Sequence, residues 1–536
     1  DVVSEDEDLL EQVSTREAVR ELRRAVDTCL TDQEQQVIRL RYGLDARAPL
    51  TQREVATLCG IVLPRVLIGA FGSVVYGATT SIAQFLSYIS LLEGGIGRVA
   101  RGALYEPLAK GDKEQISRIH RAIRSFFLKI AGVFLIYTLI IALFYQDIAK
   151  VTFFERPFTF GLVIAISLST MANYLGGIAD LTLMNADQKQ YLTNTVMTVT
   201  NILNMLLVVI LVWAGANILV VKLSTALIFV TRRVFYIGYV KRYYQLPRVS
   251  ANGYQLEQRW TGMGQHIAFF LHTNTDIILL TLFADLKTVA VYSVYYLVVR
   301  SIWDISSSFS GGMEAKFGEL IARKQEDALH RSYNRYSMML TLVALVLFGC
   351  TGVLVVPFVR LYMAGVTDAN YIQPAFALIL LLAEALNCFV LPYTTLPISA
   401  NQLKASRWGS YGEAIINVCL SLALIRWDPL LGVAIGTLTA TVFKALFYMY
   451  YTGRNILRCS VRRIIGRVAG AALVLMAVSC IGMTVLWNAP MANFFIWVLW
   501  AAVSFVLVGL VTVLFGMAAF PKELRSMLGG LLRKKK

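Results

Sequence analysis

Twelve ionisable side chains stand inside long apolar stretches: Glu93, Arg98, Asp180, Lys222, Arg232, Arg233, Asp276, Arg300, Asp304, Glu384, Glu413 and Lys444. A charge at the centre of a membrane helix costs about 2.5–3.5 kcal/mol to insert, so one that is retained faces a wet cavity or a partner. Arginine carries a planar fork that replaces the lost hydration of a phosphate or pyrophosphate by paired hydrogen bonds. Arg98 and Arg300 are the first candidates to hold such a head group, with Glu93 close to Arg98 in the same binding region. A carboxyl in a span instead suits a coupling proton or sodium ion, because its occupancy follows the conformation around it. Asp276 and Glu384 are placed for that. Plainer readings stand beside these: a long arginine also snorkels to the interface, the simpler account of Arg232 and Arg233, and a buried acid also pairs with a neighbouring helix.

Other motifs carry less. Gly95-x-Gly97-x-x-Ala100 has the outline of a dinucleotide fingerprint, but no strand precedes it. Small residues there, and at Gly432-x-x-x-Gly436 and Gly466-x-x-x-Gly470, allow close helix approach. Asn173, Asn201, Asn204, Asn274, Asn387 and Asn417 either line a sugar path or bond between helices. Seven cysteines form no C-x-x-C pair, four histidines lack metal spacing, and neither a Walker A string nor H-E-x-x-H occurs. The expectation is a chain with no catalytic residues, no metal and no cofactor, hence not an enzyme.

The elements that must hold these residues follow from hydropathy. Of 536 residues 57% are hydrophobic and mean hydropathy is +0.61, beyond the 45–50% or so that a soluble core accommodates. After a short apolar segment near 61–70, thirteen full ones fall near 76–98, 126–144, 158–185, 193–214, 216–240, 260–283, 288–311, 337–359, 372–398, 408–425, 430–452, 464–487 and 493–518. Each is long enough to cross roughly 30 Å of hydrocarbon as a helix. Alternate loops collect Lys and Arg in a ratio of roughly five to one, which places both termini in the cytoplasm.

A repeat is visible. PLAKGDKEQISRIHR at 107–121 aligns with LIARKQEDALHRSYN at 320–334, a shift of 213 residues. Repeats of this kind build the two halves of many transporters, with the substrate path between them. The reading is all-α: an N-terminal half at 61–245, a C-terminal half at 246–452, and two further spans with a basic tail at 453–536. Arg98 and Arg300 then fall late in equivalent spans of the two halves.

Residues 1–60 differ, with a net charge of −5 against +21 for the remainder. They open on DVVSEDEDLL, acidic where a secretory signal is basic. Thr31-x-x-Glu34 and Thr51-x-x-Glu54 fit capping boxes, and Gly60 is placed to stop the second helix. The string LTDQEQQVIRLRYGLDARAPLTQREVATLCGI resembles region 4 of the primary bacterial sigma factors. That family continues into a polar recognition helix, whereas here apolar VLPRVLIGAFGS follows Ile61. No specific DNA binding is expected, since base-reading side chains are missing.

From about residue 61 to the end the chain resembles the polysaccharide exporters of the multidrug/oligosaccharidyl-lipid/polysaccharide superfamily, nearest to the Wzx-type flippases. The resemblance rests on FGSVVYGATTSIAQFLSYISLLEGGIGRVARGALYEPLAKGD, on TNTDIILLTLF at 273–283 and on the layout of spans. Members of that family begin with a complete first span; here only IVLPRVLIGA corresponds to it. The resemblance implies a multi-pass protein of the bacterial cytoplasmic membrane, a secondary transporter that moves lipid-linked sugar repeat units by alternating access. Its partners would be membrane lipid, the lipid-linked substrate and polysaccharide-assembly enzymes. The alternatives are a cation-coupled multidrug exporter of the same fold and a membrane-tethered transcription regulator.

Overall fold

A computed structural model describes residues 52–93, 96–150, 153–247, 249, 263–308, 311–487, 489, 493–521 and 523–524. The chain divides into two compact units, Asp1–Leu58 and Cys59–Lys536. The sigma-like segment lies outside the described residues apart from the backbone from Gln52 onward.

The described residues form helices and no strands. In chain order they are α1 (Gln52–Ser87), α2 (Ile96–Lys110), α3 (Lys113–Ile148), α4 (Arg156–Ala172), α5 (Ile178–Ala186), α6 (Gln190–Trp213), α7 (Ile218–Tyr244) and α8 (Met263–Phe283). They continue with α9 (Leu286–Ser307), α10 (Gly311–Ala322), α11 (Glu326–Tyr362), α12 (Pro374–Ser399), α13 (Leu403–Leu424), α14 (Pro429–Asn455), α15 (Val461–Trp487) and α16 (Phe494–Ala519). Polar side chains at the starts explain several boundaries. Asp112, Asn217, Asp285, Asp428 and Asn493 each accept a hydrogen bond from an otherwise orphaned amide of the first turn. Pro374 and Pro429 sit in first turns, where no intrahelical N–H bond is lost.

Each of the thirteen apolar segments carries a helix, and among the described residues nine helices are by themselves long and apolar enough to cross a membrane. The protein is a multi-pass membrane protein. Of the other four, α8 contributes a shorter apolar stretch, Thr273–Phe283, and α7, α9 and α13 are interrupted by charged residues such as Lys222, Arg300 and Glu413. Three boundaries differ from expectation. Gly60 does not stop a helix: α1 runs through it and breaks instead at Gly72, whose φ is 83°. The span that follows ends in a 3-10 turn at Tyr88–Leu92, because Glu93-Gly94-Gly95 is a poor helix sequence. The segment at 158–185 is α4 and α5 joined by a π turn, Asn173–Gly177.

The repeat has a backbone counterpart. Gly111 and Lys324, 213 residues apart, both take positive φ, 68° and 54°. The next amides, Asp112 and Gln325, donate to Pro107 and Leu320 at the same spacing. Each turn then opens a long helix, α3 of 36 residues and α11 of 37. Buried apolar side chains gather in two main clusters, one drawn chiefly from 67–244 and the other chiefly from 279–475.

Helix α1 runs antiparallel along α8. A Cβ on Gly77 would lie 1.8 Å from the Leu286 carbonyl oxygen, so only glycine permits this backbone approach. Further along, Thr281 donates to Ser81 at 2.8 Å, Gln84 donates to Asn274, and the rings of Tyr88 and Phe270 meet edge to face at 4.9 Å.

Candidate functional site: a buried polar cavity

Helices α8, α9, α12 and α14 enclose a small cavity lined by Thr273, Asp276, Tyr292, Tyr296, Arg300, Leu380, Glu384 and Thr437. On α9 the spacing of Tyr292, Tyr296 and Arg300 is one turn each, so all three share a face. On α8, Thr273 and Asp276 share another, turned from the face that Asn274 and Thr281 give to α1. The cavity volume is about 10 Å³, the space of about one water molecule. In this conformation the site accommodates a small ion or water and no sugar.

Asp276 and Glu384 are each only 4% exposed. Asp276 Oδ2 accepts from Tyr292 at 2.8 Å and from Thr437 at 3.1 Å. Its other oxygen, Oδ1, is buried without a hydrogen-bond partner among the described residues. Asn417 of α13 extends the chain by donating to Thr437 at 3.1 Å. A second polar layer lies two turns further along α14, where Lys444 Nζ is 3.0 Å from Glu413 and 3.3 Å from Asn387. Arg300 reaches Asp304 at 3.5 Å and lies 4.0 Å over the Trp303 ring.

Of the five residues singled out from the sequence, the structure brings Asp276, Glu384 and Arg300 to one cavity. Glu93 and Arg98 are elsewhere. Glu93 follows the 3-10 turn and accepts a hydrogen bond from Tyr174 of the π turn. Arg98 is the third residue of amphipathic α2 rather than late in a span, so the expected equivalence with Arg300 does not hold; its side chain lies outside the described residues. Sequence reasoning missed Thr437, Tyr292 and Tyr296, which carry no charge to mark them. No group of three or more His, Cys, Asp or Glu able to hold a metal occurs among the described residues.

The fold is one seen in solved structures of membrane transporters. The chain is similar to the lipid II flippase MurJ in an inward closed conformation, with a TM-score of 0.65 at 12% identity, over 88% of this chain and 98% of that one. It is also similar to a MATE-family multidrug resistance transporter in an inward-facing conformation, with a TM-score of 0.50 at 13% identity, over 79% of this chain and 98% of that one. No protein-family profile and no curated protein sequence matches it.

Proposed function

We propose that the protein is a secondary transporter that moves lipid-linked oligosaccharide or polysaccharide repeat units across the bacterial cytoplasmic membrane by alternating access. Both termini are cytoplasmic in this reading. The observation that carries it is the meeting of Asp276, Glu384 and Arg300 in one buried cavity of a membrane bundle, on a fold shared with a lipid II flippase. Such a cluster is costly in lipid and is kept where it moves charge.

In this mechanism Asp276 and Glu384 exchange the coupling cation, and Asp276 Oδ1 offers the free acceptor. Thr437 and Tyr292 hold the carboxylate in place through Oδ2. Arg300, nearer the cation-rich end of α9, meets the substrate phosphate, and Glu93 and Arg98 contact the substrate from outside this cavity. Movement of α1 against α8 opens the path between the halves. Polysaccharide-assembly enzymes are the expected partners, and specific DNA binding is not part of the function.

The test is reconstitution of the full chain in proteoliposomes, following translocation of a fluorescent undecaprenyl-pyrophosphate-linked oligosaccharide. Uptake that collapses in Arg300→Gln but persists in Arg323→Gln supports the proposal. Equal transport by both variants, or transport of organic cations alone, overturns it. The second outcome is the multidrug reading, which the paired rings of Tyr292 and Tyr296, 5.6 Å apart in the cavity, favour to a lesser degree.

A further inference from the structure

A second cluster of charges lies away from this cavity, where α3, α5 and α7 meet at the π turn. Arg233 of α7 donates to the Leu175 carbonyl of that turn, and its stem passes 3.8 Å from the Cβ position of Gly177. Its Nε is buried and has no hydrogen-bond partner among the described residues. The guanidinium is partly buried, and Arg124 on α3 and Asp180 on α5 lie within electrostatic reach of it. That balance is unfavourable for two cations. Asp180 is already bonded to His120 at 2.8 Å, and both side chains are 9% exposed. Arg124 is exposed and has no ion-pair partner among the described residues.

Two guanidiniums within electrostatic reach of each other, with the carboxylate nearest Arg233 already engaged by His120, leave donors that an anion with several acceptor oxygens would satisfy. The position says which kind. Arg124 is eleven residues from the start of α3 and Arg233 eleven from the end of α7, so both sit at the same depth, roughly 16 Å from helix ends that carry the cation-rich loops. Immediately deeper on the same helices, Leu128 is 43% and Val230 38% exposed, and Leu175 of the turn is 37% exposed. A basic pair at the margin of an exposed apolar surface matches a head group with its acyl chains below.

We propose that Arg124 and Arg233 form a binding site for the phosphate of an anionic phospholipid, set into the outer wall of the N-terminal half between α3 and α7. The lipid phosphate accepts from the outward-facing guanidinium N–H groups of the two arginines and separates the two like charges. Its acyl chains lie against Leu128, Leu175 and Val230. The site is distinct from the cavity at Asp276, and its occupancy does not depend on what is transported.

Native mass spectrometry of the full chain in mild detergent tests this with dioleoyl phosphatidylglycerol, dioleoyl phosphatidylcholine and inorganic phosphate as probes. The wild type is expected to retain one phosphatidylglycerol under activation that strips phosphatidylcholine. Arg124→Gln/Arg233→Gln is expected to lower that retention by about tenfold or more, while Lys287→Gln leaves it unchanged. Equal retention of the two lipids, or unchanged retention in the double variant, overturns the proposal. Displacement by inorganic phosphate alone assigns the site to free phosphate and overturns the lipid assignment. Should the double variant lose its fold, Arg124→Gln decides alone, since that side chain is exposed.

Discussion

The hydroxyl of Tyr292 on α9 and the carboxylate of Asp276 on α8 are joined by a buried hydrogen bond of 2.8 Å, and it is made to the same oxygen that Thr437 reaches from α14. One oxygen of the carboxylate is thereby fixed and the other left open. That asymmetry separates two variants. Asp276→Asn keeps the shape and removes the charge, so gradient-driven uptake in proteoliposomes is expected to fall at least about tenfold while downhill exchange persists. Tyr292→Phe leaves the charge and removes one donor, at a cost of about 1–3 kcal/mol in stability. Gradient dependence is retained in that variant. Full ion coupling in Asp276→Asn would remove this residue from the mechanism.

Gly77 gives a second prediction. Its place against the Leu286 carbonyl leaves no room for a methyl group, so Gly77→Ala forces α1 away from the start of α9. The expected loss is about 1–3 kcal/mol, the usual range for overpacking a tight contact, read as a lower denaturation midpoint in detergent. Gly97→Ala, where a Cβ would meet nothing within 4 Å, serves as the control and is expected to be neutral or slightly stabilising.

How much of this was legible beforehand varies with the physics of each feature. The spans were, because an apolar run as long as Phe494–Ala519 has no other place to fold, and its window is only 17% buried within the protein. The repeat was legible in LAKGDKEQ and its partner because a turn with positive φ at Gly111 and Lys324 fixes the entry to a long helix. Asp276, Glu384 and Arg300 stood out because charge in a span is expensive. Thr437 and Tyr292 did not, since threonine back-bonds within its own helix at many other positions, Thr200 and Thr225 among them. Arg98 falls in α2 and not in the span because the preceding turn ends at Leu92, a break that hydropathy does not mark. Nothing in the sequence says which face of α9 meets which face of α12.

N-terminal to Gly77 in α1, Ser73 donates its amide and hydroxyl to Asp368 at 2.6 and 2.7 Å, and Arg65 donates to the Ala364 carbonyl at 2.8 Å. Gly72 lies between, with φ at 83° and its Cβ position 3.2 Å from Asp368. A side chain there meets backbone strain of about 1–3 kcal/mol, since positive φ with extended ψ (83° and 167°) is a glycine conformation, as well as that contact. Gly72→Ala and Asp368→Ala are therefore both expected to loosen this closure. In a background with the native cysteines replaced, a cysteine at Tyr371 should react with membrane-impermeant maleimide several-fold faster in either variant. Unchanged labelling in both would show that the contact does not hold this end shut.

The Lys444–Glu413 pair allows the sharpest energetic test. Its side chains are 20% and 5% exposed and 3.0 Å apart, with Asn387 as a second acceptor for the ammonium. Removing one partner of a buried pair strands the other charge at a cost of about 3–5 kcal/mol, whereas replacing both is often close to neutral. Lys444→Met is thus expected to be strongly destabilising and Lys444→Met/Glu413→Gln to recover most of the loss, giving a large coupling energy in a double-mutant cycle of denaturation midpoints. The transport readout then separates structure from mechanism. If the pair only braces α13 against α14, the double variant moves substrate as well as the wild type; if it belongs to the polar path continuing from Asp276, stability returns and gradient-driven uptake does not.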